Sequence, residues 1–401
     1  MAGMRIEDRV LDLSAEEGAR VVALGLLAEA EEAADALAAR EGDEPLHDFR
    51  VAVRRLRSAL RTFRPWLEGG VRPKDEKRLR KLGRSTNESR DAEVQLGWLA
   101  AKAGDLSAPA ERAGHALAVA RFEERLRGGP DPDRVAGRFR RAGEKLRRRL
   151  ERYERRVATG DDEGASFGAA LASLVEEQAA ALAARMAAVG DAADQEGVHR
   201  ARIEGKRLRY LLEPLRGYRP ADAAEVVAEL KKLQDLLGEL HDAHVLAGEL
   251  GLALAEVAAE RARALHAAAL APAGAHGRAR TSGSPRAGLL ALVRLVRERR
   301  DGLFAALEGS WRRGEGMNAL AARASAVAVA LEARAGGRIE HERKFLLAAL
   351  PPRAAEAEAA EIDQGWLPGK KLRERVRRVR RGGKERYYRC LLYTSPSPRD
   401  S

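Results

Sequence analysis

The chain has 401 residues, a formal net charge of +12 and an isoelectric point near 10.0, and 45% of it is hydrophobic but only 4% aromatic. That length can bury a large core divided among two or three domains, and so large a basic excess points to a polyanionic partner. The single cysteine, Cys390, excludes an intramolecular disulfide and a cysteine-based zinc cage, and no uncharged apolar run is long enough to span a bilayer, so no membrane partner is expected.

The first residues carry Glu7, Asp8 and Asp12 and no apolar core, unlike a secretory signal, so a cytoplasmic location is predicted. Ser14-Ala15-Glu16-Glu17 is a capping-box pattern opening a helix to about Arg40. Helical patterning then continues to about Arg334. It is broken at Gly42–Pro45, Gly69–Pro73, Gly104–Pro109, Gly128–Pro132, Gly160–Gly164 and Gly217–Pro220. A Gly-, Ser- and Pro-rich stretch, 272–288, reads as a mobile loop, and two further helical pieces, Leu289–Trp311 and Met317–Ala335, follow it. Strand-like alternation begins only after Gly337.

An internal repeat organises the helical part. The segment from His47 through Arg50, Arg54, Arg55, Leu56 and Arg57 returns as His199, Arg202, Lys206, Arg207, Leu208 and Arg209. Further on, Arg90-Asp91-Ala92-Glu93-Val94 is echoed by His241-Asp242-Ala243-His244-Val245 at nearly the same offset of about 150 residues. Two elements recurring at one offset argue for duplication of a whole bundle. The chain is therefore predicted to be mainly all-α, two pseudo-symmetric helical bundles over 14–335, with repeats at about 14–158 and 164–335.

On a helix, Leu46, Phe49, Val53, Leu56, Leu60 and Phe63 form an apolar stripe. His47, Arg50, Arg54, Arg57, Arg61 and Arg64 form a second stripe about 100° around, flanked by Arg55. The copy repeats it with His199, Arg202, Lys206 and Arg209, flanked by Arg207, with Arg216 further along. Lys77, Arg78, Arg80, Lys81 and Arg84 extend the first site, and Lys231 and Lys232 extend the second. A charged stripe is ordinarily a solvated face, and other helices here mix acids with bases as such faces do. Residues 46–84, by contrast, hold 13 Lys and Arg against 4 Asp and Glu, and 50–64 hold no acid. Like charges one turn apart repel, so a face of this kind, made twice, is expected to meet an anion.

Arginine forks spaced one turn apart, about 5.4 Å, suit a chain of phosphates. Single-stranded nucleic acid would also call for aromatic platforms, and only Tyr210 stands beside a stripe, so nucleic acid is the competing partner and a baseless polymer the better fit. His47 and His199 are read as phosphate donors that strengthen as pH falls. Asp91 and Asp242 are read as acids that orient Arg or His side chains. His241 and His244 offer a metal pair that the first repeat, with Arg90 and Glu93, does not match.

These duplicated His-x-x-Arg elements, each followed by an Asp-containing helix, resemble the CHAD family, the conserved-histidine α-helical domain, over about 14–335. The resemblance implies a basic surface between two related bundles with inorganic polyphosphate as ligand, no cofactor, and an association with polyphosphate granules. It carries phosphate contact to His47, Arg50, Arg54, Arg57, His199, Arg202, Lys206 and Arg209; Arg55, Arg61 and Arg207 join them on the stripe reading.

The C-terminal part changes character. Glu340, Glu342 and Lys344 share one face of a strand, followed by Gln364-Gly365-Trp366-Leu367 and by Arg375 and Arg377. This ordered trio resembles the beginning of a CYTH domain, a triphosphate-tunnel metalloenzyme, over 336–390. The resemblance implies metal ligation by Glu340 and Glu342, triphosphate binding by Lys344, Arg375 and Arg377, and Mg²⁺ or Mn²⁺ as the ion in a complete domain acting as triphosphatase or cyclase. Later barrel strands are missing, so no such activity is expected of this chain. Residues 391–401 shift abruptly in composition and read as a non-native tail.

Overall fold

A computed structural model describes residues 4–42, 44–157, 165–218, 220, 222–270, 284–336, 361–367, 373–381 and 384–392. After a short turn of helix, α1 (Asp8–Leu11), the first repeat contributes α2 (Ala15–Ala39), α3 (Pro45–Thr62), α4 (Pro73–Ser85), α5 (Asn87–Lys102), α6 (Pro109–Arg127) and α7 (Pro132–Val157). The second contributes α8 (Phe167–Ala187), α9 (Gln195–Leu212), α10 (Ala223–Leu270), α11 (Arg286–Leu307) and α12 (Gly316–Gly336). The fold is mainly all-α, as the periodicity predicts. The 272–288 stretch is shorter as a loop than its composition suggests, because 286–288 already belong to α11; the rest of it up to 283 lies outside the described residues.

The two repeats meet through a local two-fold exchange at their first helices. Ser14 caps α2, accepting from the Glu17 N–H at 3.2 Å, and Ser166 caps α8, accepting from the Ala169 N–H at 3.2 Å. Between these caps the Ala15 N–H donates to the Ala165 carbonyl at 3.1 Å and the Phe167 N–H donates to the Leu13 carbonyl at 2.8 Å. Ser14 and Ser166 stand 152 positions apart, as do His47 and His199, so the exchange relates equivalent residues. Beside it the Phe167 ring fills the space that a side chain on Gly18 would need.

Two cores result, and neither follows the repeat boundary. The larger takes residues from α2, α3, α4 and α7 and from α8, α9, α12 and the first half of α10. The smaller takes α5 and α6 together with the second half of α10 and α11. The cause lies at Thr86. There the first repeat breaks between α4 and α5, whereas the second runs through the equivalent point as one 48-residue helix. Each repeat thus spans both bundles. Alanines at positions 19, 23, 30, 33 and 34 are fully buried on α2, and their small side chains let α3, α7 and α8 approach it.

In the C-terminal part, β1 (Glu361–Leu367), β2 (Arg373–Arg381) and β3 (Lys384–Leu392) form an antiparallel sheet in sequence order. Leu391 and Leu392 complete β3, so the composition shift at 391 is not a structural boundary. Cross-strand pairs hold the sheet: Arg380 with Glu361 at 3.1 Å, and Arg378 with Asp363.

In the smaller bundle α6 and α11 cross backbone to backbone at Gly114 and Gly288. A Cβ on Gly288 would stand 2.2 Å from the Glu111 carbonyl oxygen, and one on Gly114 would stand 2.4 Å from the Pro285 carbonyl oxygen. Gly288→Ala should therefore cost about 1–3 kcal/mol in urea unfolding, the usual cost of overpacking. An unchanged midpoint would show that the crossing is looser than described.

Candidate anion-binding site

Helix α3 owes its two-faced character to the apolar stripe: Phe49, Val53, Leu56, Leu60 and Phe63 are all at most 3% exposed. With that face pinned in the core, its basic face is driven toward α9 of the other repeat, against which α3 packs. Helix α9 is positioned in turn by Val198, Ala201 and Leu208, and by Gln234 of α10, whose side-chain amide donates to the Gly205 carbonyl at 2.7 Å. The seam between α3 and α9 is locked by Glu213. Its carboxylate meets Arg55 at 2.7 Å and Arg209 at 3.5 Å and is almost wholly buried. Arg207 turns to Glu204 at 2.8 Å. Arg55, Arg207 and Arg209, expected in the ligand row, therefore already have carboxylate partners.

Beyond this seam the two stripes converge. Arg54 lies close enough to both Arg202 and Lys206 to lower the pKa of each, although they come from different repeats. Arg50, Arg54, Arg202 and Lys206 all act on Asp91, and Arg202 also feels Asp242. Arg54 and Lys206 are equivalent positions, as are Arg50 and Arg202, and the two acids pair in the same way. A pseudo-two-fold axis between the repeats accordingly passes through this cluster. Neither acid is within ion-pair distance of Arg54, Arg202 or Lys206, and the Arg202 Nε is buried without a hydrogen-bond acceptor.

The electrostatic consequences are large. Burial, with Arg202, Arg54 and Arg209 beside it, pushes the Lys206 ammonium down to about 6, against a small opposing pull from Asp242. Burial also lowers His241, to about 4, with Arg202, His199 and Lys206 adding to it; His199 is lowered by burial and by Arg202 and Lys206. The His199 and His241 rings lie 5.1 Å apart. Asp91 and Asp242 are raised by burial, more than the neighbouring cations lower them, although the Asp91 side chain still reaches solvent. The cluster holds basic groups that give up their protons readily and that an arriving anion would recharge.

At the other end of α3, Arg57 is lowered by burial and by Arg61, Arg54, Arg80 and Arg84, so the first stripe continues onto α4. His47 lies at the periphery, 3.8 Å from Glu44. The His244 Nε2–H donates to the Ala192 carbonyl, 2.8 Å away, which gives it a structural place. Two residues of the neighbourhood escaped the sequence pattern. Glu213 carries an acid where the first repeat has Arg61. Arg299, on α11, acts on Asp242, pairs with Glu239 at 3.3 Å and lies over the Trp98 ring. In the C-terminal part Glu340, Glu342 and Lys344 lie outside the described residues, while Arg375 and Arg377 stand on β2 as expected and Arg377 donates to the Gln364 side chain at 3.1–3.2 Å. Among the described residues no cluster of His, Cys, Asp or Glu is arranged to hold a metal ion, and no helix is long and apolar enough to cross a membrane.

Residues 23–251 match the CHAD domain family. The chain belongs to that family. The matched stretch includes both basic stripes, Asp91 and Asp242, and so the whole cluster. The fold also resembles the crystal structure of the CHAD domain from the plant Ricinus communis, at 22% identity and a TM-score of 0.52, over 77% of this chain and 95% of that one. No curated protein matches the sequence.

Within the CHAD domain, Lys206 imposes a stability cost with a defined pH signature. An unfolded lysine keeps its proton to about pH 10.4, whereas the folded one releases it near 6. Between those values the unfolded state binds more protons, so this group lowers stability increasingly as pH falls through that window. Lys206→Met should raise unfolding stability at pH 7 by on the order of 1–2 kcal/mol. The gain should be flat below about pH 6 and shrink as pH approaches 10. Urea titrations of both proteins across that range check this, and a gain independent of pH would contradict it.

Proposed function

We propose that this CHAD domain binds inorganic polyphosphate through the cluster shared by α3 and α9. The observation that carries the reading is the convergence of Arg54 with Arg202 and Lys206 across the repeat boundary. Cations from two helices then face one ligand, and guanidinium and ammonium donors suit phosphate oxygens. No resident cofactor is required for such contacts. The reading favours a phosphate polymer over nucleic acid because the nearby rings are taken. Tyr210 is buried beneath the Arg209 guanidinium, 4.9 Å from its centroid, and Trp98 lies under Arg299 and packs on the smaller core. Neither is a platform for a stacking base.

A ligand touching both stripes gains from the high effective concentration of the second once the first is engaged. Long polyphosphate should bind the full chain far more tightly than chains of a few phosphates. Affinity should fall with salt with a logarithmic slope of about −3 or steeper, as expected for four or more neutralised phosphates. Either charge reversal alone, Arg54→Glu or Lys206→Glu, should remove most of the chain-length advantage. Titration calorimetry with matched short and long polymers reads this out, with single-stranded nucleic acid as competitor. Half stoichiometry at undiminished affinity in both variants would mean two separate sites, and efficient displacement by nucleic acid would favour that partner instead.

A further inference from the structure

The two halves of the site are equivalent at the centre but not at the exits. On the first repeat, Arg57, Arg61, Arg80 and Arg84 continue the row from α3 onto α4, and no described carboxylate lies within ion-pair distance of any of them. The Arg57 guanidinium lies against α4 at Gly83, where a Cβ would stand 3.0 Å from its Nη1, so the glycine keeps that approach open. Arg61, Arg80 and Arg84 are exposed.

On the second repeat the corresponding positions lack most of that positive charge. Arg57 is matched by Arg209, which is tied to Glu213. Arg61 is matched by Glu213 itself, and Arg84 by Asp235, with Gln234 in place of Gly83. Of the exposed arginines in that set only Arg80 keeps a basic counterpart, Lys231, beside Lys232; both lysines are exposed, and Asp235 follows one turn on along α10. An anionic chain leaving the centre on that side would find the place of Arg61 taken by a buried, paired carboxylate and that of Arg84 by the exposed Asp235.

We infer that the binding tract is one-sided: a long phosphate chain is gripped at the pseudo-two-fold centre and leaves it only over α3 and α4 of the first repeat. This rests on the proposed binding function and adds a direction to it. The centre alone takes a short chain, and the Arg57–Arg84 arm is reached only by a longer one. Length preference is then set by an arm outside the symmetric element.

Two double substitutions on exposed positions test this, each in the full chain and each checked for unchanged thermal unfolding. Arg80→Gln with Arg84→Gln should weaken binding of long polyphosphate about tenfold, flatten its salt slope by about 1, and leave short-chain affinity within twofold. Lys231→Gln with Lys232→Gln should leave both lengths within twofold. Equal losses of long-chain affinity in the two double variants would overturn the one-sided tract while leaving polyphosphate binding intact. An equal loss for short and long chains in the first variant would also overturn it, by placing those arginines in the centre. Failure of the unsubstituted chain to bind either length would remove the binding function, and the inference with it.

Discussion

Crowding of Arg54, Arg202 and Lys206 across the repeat boundary is the constraint around which the rest of the CHAD domain is arranged. Like charges about 6 Å apart repel by roughly 3 kcal/mol where the effective dielectric is near 20, and Asp91 and Asp242, whose pKa values burial raises, offset only part of it. The scaffold holds this arrangement because each stripe shares its helix with a fully packed apolar stripe. Phe49, Val53, Leu56 and Leu60 cannot leave the core without taking Arg50, Arg54 and Arg57 with them. Glu213 then fastens the seam from beneath by neutralising Arg55 and Arg209, the cations nearest the helix contact. Arg54, Arg202 and Lys206 are left outside that carboxylate seam.

Duplication makes such a site accessible to a chain of modest charge density. One helix face supplies one row, and a second copy turned about a pseudo-axis supplies a facing row without a second invention. The exchange of backbone hydrogen bonds around Ser14 and Ser166 ties the two copies together at their first helices. Sequence drift between copies then alters the surroundings of the cluster. The smaller bundle adds Arg299 beside Asp242, and the second repeat puts Glu213 and Asp235 where the first has arginines. The centre stays nearly symmetric, and the periphery does not.

Helical periodicity was enough to separate the core face of α3 from its basic face, because both are set by side chains one turn apart on the same helix. The repeat offset matched Asp91 with Asp242, which act on each other in the cluster, whereas His47, the match of His199, lies at the periphery beside Glu44. What periodicity could not supply was the partner of each face. That Arg55 pairs with Glu213, 158 positions on, or that Ser14 meets Ser166, depends on how helices distant in sequence pack. The division into two cores was equally hidden, since a break at Thr86 and a continuous α10 have similar local patterns yet send the later helices of both repeats into a separate bundle. Arg299 lies outside the repeated motif and left no signal at all.

If anion binding relieves this crowding, it must also restore protons that crowding expels. Lys206, facing Arg202 and Arg209 on its own helix, Arg54 on α3 and Asp242 on α10, is held at about 6 in the free protein, and His199 and His241 are lowered beside it. A phosphate chain seated among them would favour their charged forms. Calorimetric titration of long polyphosphate at pH 7.5, repeated in buffers of different ionisation enthalpy, measures the protons exchanged on binding. The account predicts net uptake of about one proton per site, abolished in Lys206→Met. Binding with no proton exchange, or with uptake that survives that substitution unchanged, would contradict it.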